Sequence, residues 1–79
     1  MLHLYWESMP SLTVLADRLR PWGSVAMTGK QTLRFIPTNL RFPPTYVNQN
    51  GSIDVMISGL DLFEQEDCVE RLQQWLGIS

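Results

Sequence analysis

The sequence predicts an α+β fold: a two-layer sandwich in the order β-α-β-β-(β)-β-α, with two helices on one face of a mainly antiparallel sheet. Three observations carry that prediction. Apolar residues recur at helical spacing in two segments only, one near each end. Between those segments the chain alternates at period two, with Gly29 and Asn50-Gly51 as turn signals. The stretch 37–44 carries Pro37, Pro43 and Pro44, too much proline for a helix, which argues against the ferredoxin-like β-α-β-β-α-β order.

The elements follow in chain order. Leu2-His3-Leu4-Tyr5-Trp6 alternates like a strand, with Leu2, Leu4 and Trp6 on one face. Ser8 and Pro10 are start signals for a helix over 9–20, whose stripe is Leu12, Leu15, Ala16 and Leu19. Arg18 and Arg20 fall in its last turn, where the helix dipole favours cations, and Pro21 and Gly23 end it. Segments 24–28 and 31–36 read as a hairpin. A two-residue loop would put Val25 beside Arg34, whereas the odd loop Thr28-Gly29-Lys30 pairs Val25 with Leu33 and Met27 with Gln31. The odd loop is therefore expected.

Asn50-Gly51 predicts a type I′ turn between 45–49 and 52–58, which sets Tyr46 opposite Val55 and Asn48 opposite Ile53. Ile53, Val55 and Ile57 then face the core, and Asp54 faces away. Gly59 breaks the strand. Asp61 and Glu64 have capping-box spacing for the final helix, whose stripe is Val69, Leu72, Trp75 and Leu76 and whose end is marked by Gly77. Asp67 and Arg71 are spaced for a surface ion pair.

Seventy-nine residues, 44% hydrophobic and 18% charged, suit one packed domain over 1–79 rather than a disordered chain. The initial methionine is read as the start of a complete small protein. A lone cysteine, Cys68, excludes an internal disulfide, and no signal peptide or membrane span is evident, so a cytoplasmic setting is expected. The net charge of −2 hides a polarity. Arg18, Arg20, Lys30, Arg34 and Arg41 against Glu7 and Asp17 give residues 1–50 a net +3. Arg71 against Asp54, Asp61, Glu64, Glu66, Asp67 and Glu70 gives residues 51–79 a net −5. Such ends neutralise each other within a monomer, dock on a charged partner, or pair head to tail with a second copy.

Little in the chain suggests catalysis. His3 and Glu7, the nearest acid in sequence, would stand roughly 13 Å apart on one strand, beyond proton-transfer reach. A dyad would need His3 to meet a distant carboxylate such as Asp54, which nothing in the sequence requires. Cys68 lies among acids on a helix and reads as a small apolar filler. The acids 64–70 follow a helix surface without calcium-loop spacing, and the glycines form no nucleotide-binding pattern. A non-enzyme without cofactor or metal is expected.

The one unusual local pattern is a phrase said twice. Leu33-Arg34-Phe35-Ile36-Pro37-Thr38-Asn39 is followed directly by Leu40-Arg41-Phe42-Pro43-Pro44-Thr45-Tyr46, matching at five of seven positions. In extended backbone Leu33 and Phe35 point one way and Arg34 the other, as Leu40, Phe42 and Arg41 would again. With Pro43-Pro44 the segment reads as a protein-binding edge, used for a foreign partner or a homodimer, in a regulatory or interaction module. Its contact residues would be Arg34, Arg41, Phe42, Pro43, Pro44 and Tyr46, with Lys30 at the rim. The arginines would fork onto carboxylates, and Phe42 or Tyr46 would be the desolvated anchor. Arg41→Glu should then weaken partner binding and leave the melting temperature unchanged.

The alternative uses Lys30, Arg34 and Arg41 against nucleic acid. From residue 9 onward the helix–three strands–helix order is similar to the double-stranded-RNA-binding domain, a resemblance in element order alone. That family holds phosphate through a lysine-rich start to its second helix, whereas Asp61 to Glu70 here is acidic. The charge balance argues against nucleic acid as partner.

Overall fold

Ser11 decides where the first helix begins. In the computed structural model, which describes residues 2–38, 42–57 and 59–77, α1 spans Leu12–Leu19 and the Ser11 hydroxyl accepts the Val14 N–H at 3.4 Å. The helix is shorter than the expected 9–20 because Ser11, not Ser8, supplies the cap, leaving Pro10 outside. The Leu12 N–H, a donor with no partner inside the helix, donates to Gln49 Oε1 at 3.2 Å. Leu12, Leu15, Ala16 and Leu19 are all buried, as their spacing predicts. A 3-10 turn, Arg20–Trp22, carries the chain into the sheet.

Five antiparallel strands form that sheet: β1 Leu2–Tyr5, β2 Gly23–Met27, β3 Thr32–Pro37, β4 Thr45–Asn48 and β5 Ser52–Val55. Their spatial order is β1-β5-β4-β3-β2. The bracketed strand of the sequence reading is thus present as β4, at the centre of the sheet. Four strands lie between the helices, so the element order departs from the three of the RNA-binding domain.

Register separates the two hairpins. In the first, Met27 lies opposite Leu33 and Val25 opposite Phe35, and the Thr28 N–H donates to the Thr32 carbonyl at 3.1 Å. The connection is Gly29-Lys30-Gln31, one residue further on than expected but of the same odd length. Odd length keeps Val25, Leu33 and Phe35 on one face.

The second hairpin corrects the sequence reading. Thr45 lies opposite Val55, Tyr46 opposite Asp54 and Val47 opposite Ile53. The loop closes with the Gly51 N–H donating to the Asn48 carbonyl at 3.0 Å, and Gly51 alone has positive φ, at 101°. A type I′ turn needs positive φ at Asn50 as well; this connection is instead a three-residue loop with glycine in the left-handed position. The extra loop residue slips the pairing by one and turns Tyr46 away from the core. Gly51 is also pinned, because a Cβ there would stand 2.5 Å from the Trp6 carbonyl oxygen.

The last helix, α2, spans Leu62–Leu76 and has both halves of the Asp61–Glu64 capping box, with Gly77 left-handed at its end. The Arg18 Nη1 donates to the Leu76 carbonyl at 2.8 Å, so α1 caps α2. Cys68, Leu72 and Leu76 are buried, while Val69 and Trp75 are half-buried. The Asp67–Arg71 pair forms at 3.1 Å. Both helices pack on one sheet face, joining Leu33, Phe35, Val47, Ile53 and Val55 in a single core. No described helix is long and apolar enough to cross a membrane.

Candidate functional site

The opposite sheet face has no described element over it. Residues alternate along every strand, so the partners of the core residues all project there. Register then aligns them across the sheet. His3 lies opposite Asp54, Asp54 opposite Tyr46, Tyr46 opposite Arg34 and Arg34 opposite Ala26. One row therefore crosses all five strands, with Tyr46 at its middle.

Backbone hydrogen bonds determine which neighbours in this row come closest. The Gln49 N–H donates to the Gln31 carbonyl at 2.9 Å. Alternating outward from that bond, Arg34 and Tyr46 form a non-hydrogen-bonded pair, in which side chains approach most closely. The same alternation from the Trp6 N–H, which donates to the Gly51 carbonyl at 2.8 Å, makes His3 and Asp54 another such pair. Their side chains do meet, His3 Nδ1 on Asp54 Oδ1. His3 remains largely exposed at 72%, against 24% for Asp54.

Asp54 Oδ1 is shielded from water, and its other oxygen accepts from Asn48 Nδ2 at 3.5 Å. That Asn48 nitrogen also donates to the Ser52 hydroxyl at 3.1 Å and carbonyl at 3.2 Å, while Asn48 Oδ1 accepts from Thr32 at 2.9 Å. Asp54 thus sits between His3 and Asn48. Arg34 differs: half-buried beside Tyr46, it has no ion-pair partner among the described residues.

The structure divides the residues singled out from sequence. Arg34 and Tyr46 come together, although they belong to different halves of the repeated phrase. Lys30 is exposed at the β2–β3 loop. Pro43 is half-buried and Pro44 exposed, both just before β4. Arg41 lies outside the described residues. Phe42 is corrected outright, since it is 6% exposed and packs on Trp75 with ring centroids 4.7 Å apart. Trp75 draws the ring inward by also meeting Phe35 edge-on and stacking on Trp22, each at 5.7 Å.

The edge reading is corrected too. β3 and β4 are interior strands paired on both sides, so their backbones are closed to an added strand; the edges are β1 and β2. The sequence pointed to Asp54 as the distant carboxylate a His3 dyad would need, and the two do meet, outside the described grooves. The further partners Asn48 and Thr32 were missed from sequence. Alternation alone placed Asp54 outward, but only the observed register brings Tyr46 and Asp54 into one row.

Cys68 is buried, and burial, then the neighbouring Asp67 and Glu64, push its thiol pKa above the ordinary value against a smaller opposing effect of Arg71. Comparison of the chain with protein-family models, curated proteins and solved structures finds no match.

Proposed function

We propose that this is a non-catalytic protein-interaction module whose contact surface is the open sheet face, centred on Arg34 and Tyr46. The supporting observation is the half-buried Arg34, without a described ion-pair partner, beside a tyrosine on a face that nothing described covers. Arginine and tyrosine are the residue types enriched at interface centres, and a rigid strand holds each with little further ordering cost. Arg34 fits a partner carboxylate, with Tyr46 as the apolar anchor. Thr32, Asn48 and Ser52 form the adjacent polar row. A reducing, cytoplasmic setting accords with the free, buried cysteine.

Tyr5, Tyr46 and His3 on the same face also favour a second reading, in which single-stranded nucleic acid stacks on the sheet. Asp54 within the row and the acidic helix α2 count against it.

A photo-crosslinking residue at Ile36, exposed on this face, tests the proposal in cells, with Thr13 on the outer surface of α1 as control. The expected result is a discrete protein adduct from position 36, lost on adding Arg34→Glu while the melting temperature is retained. An equal adduct from position 13, or one indifferent to Arg34→Glu, would overturn the proposal. A nuclease-sensitive adduct would transfer the face to nucleic acid.

A further inference from the structure

We infer a second docking surface, apart from the Arg34–Tyr46 centre: the outer edge of β1 and the groove beneath it take an added strand from a partner protein, basic and apolar in character. Because the Trp6 N–H bonds to Gly51, the inward backbone groups of β1 belong to Leu2 and Leu4. The N–H and C=O groups of His3 and Tyr5 therefore point outward. No described strand pairs with them. An edge of this kind is a template for strand addition.

Side-chain chemistry below the edge restricts the occupant. Between β1 and α2 runs a groove of about 440 Å³, with Leu2, Leu62 and Val69 as its apolar lining and Glu66 and Glu70 at its acidic margin. Leu62 is 74% exposed and the adjacent Phe63 84%. A strand added to β1 would send alternate side chains toward α2. A small apolar residue there fills the space against Leu2 and Val69. Lysines on either side lay their aliphatic stems over the same surface and bring their charges to Glu66 and Glu70.

The acidic margin also disfavours a second copy of this chain as the occupant. Antiparallel pairing of β1 with its own copy would set α2 beside α2, with Glu66 and Glu70 of each facing like charge. A basic strand from another protein meets complementary charge at the same place.

The test uses the whole protein and a capped Thr-Lys-Thr-Val-Thr-Lys-Thr peptide, followed by amide chemical shifts and hydrogen exchange. The peptide should slow exchange at the His3 and Tyr5 amides, and its backbone N-methylated form should not. Replacing its lysines with glutamate should weaken binding roughly tenfold, by the same charge reversal. Glu66→Lys with Glu70→Lys, two exposed changes that leave the core untouched, should weaken binding roughly tenfold, as expected for losing two exposed ion pairs. No protection at millimolar peptide, equal binding of the glutamate peptide, or unchanged affinity in the double variant would overturn the inference. Shifts confined to the Arg34–Tyr46 face would also overturn it, while leaving the open-face proposal standing. A dimer that protects the same two amides without peptide would assign the edge to a second copy.

Discussion

Phe42→Ala separates a core ring from a surface anchor. Phe42 is 6% exposed and joins Trp75, Phe35 and Trp22 in one aromatic group. A phenylalanine ring buries on the order of 150 Å² of apolar surface, worth about 4 kcal/mol at ~25 cal/mol per Å². Alanine recovers a small part of this, and the loss of the tilted contact with Trp75 adds about 0.5–1.5 kcal/mol. The expected cost is therefore about 3–5 kcal/mol, the usual range for removing a buried ring. A chain of 79 residues has a total stability of about 4–12 kcal/mol, so the change removes a large share of it. Urea titration followed by tryptophan fluorescence should show the midpoint lowered by about 2–3 M, or a chain already unfolded without denaturant. A loss under about 1 kcal/mol would refute the packing argument and return Phe42 to the surface.

Three further perturbations test other links. Leu15→Ala and Leu72→Ala each remove a fully enclosed side chain from a different helix and should cost about 2–5 kcal/mol by urea titration; negligible loss from both would break the two-helix architecture. Gly51→Ala places a methyl group against the Trp6 carbonyl at positive φ and should cost at least about 1–2 kcal/mol from backbone strain alone; unchanged stability would refute the left-handed glycine in the β4–β5 loop. The raised Cys68 pKa predicts slow alkylation by iodoacetamide in the folded state, accelerated by urea. Its sign also predicts falling stability above the ordinary thiol value of 9.0, because the unfolded chain then gives up a proton the folded one keeps. Equal alkylation rates in folded and unfolded protein would contradict that burial.

The helices were legible because their signals are local. Leu12, Leu15, Ala16 and Leu19 lie on one face by helical geometry, and Asp61, Glu64 and Gly77 act on the backbone within a few residues. The inward positions of β3 and β5 were legible for the same reason. Leu33, Phe35, Ile53 and Val55 alternate with Arg34 and Asp54, and no distant partner is needed to read that.

The candidate site was only half legible, and the missing half depends on pairing. The Asn50-Gly51 signal located a turn, but two-residue and three-residue loops satisfy it equally in local terms, and one residue of slip changes the face of Tyr46. The repeated phrase shows the same limit. Its two halves look alike as text, yet Arg34 reaches the open face of β3 while Phe42 is drawn inward by Trp75 from the far end of the chain.

By itself the sequence determined the elements, the caps of α2 and the apolar set that holds them together, because these follow from short-range periodicity and backbone hydrogen bonding. Only the tertiary structure decided strand order and register. Those choices seat β4 in the middle of the sheet, leave β1 at its edge, join His3 to Asp54 and set Arg34 beside Tyr46. The physical reason is that pairing energy is shared between segments distant in sequence, so neither segment alone carries the information that aligns them.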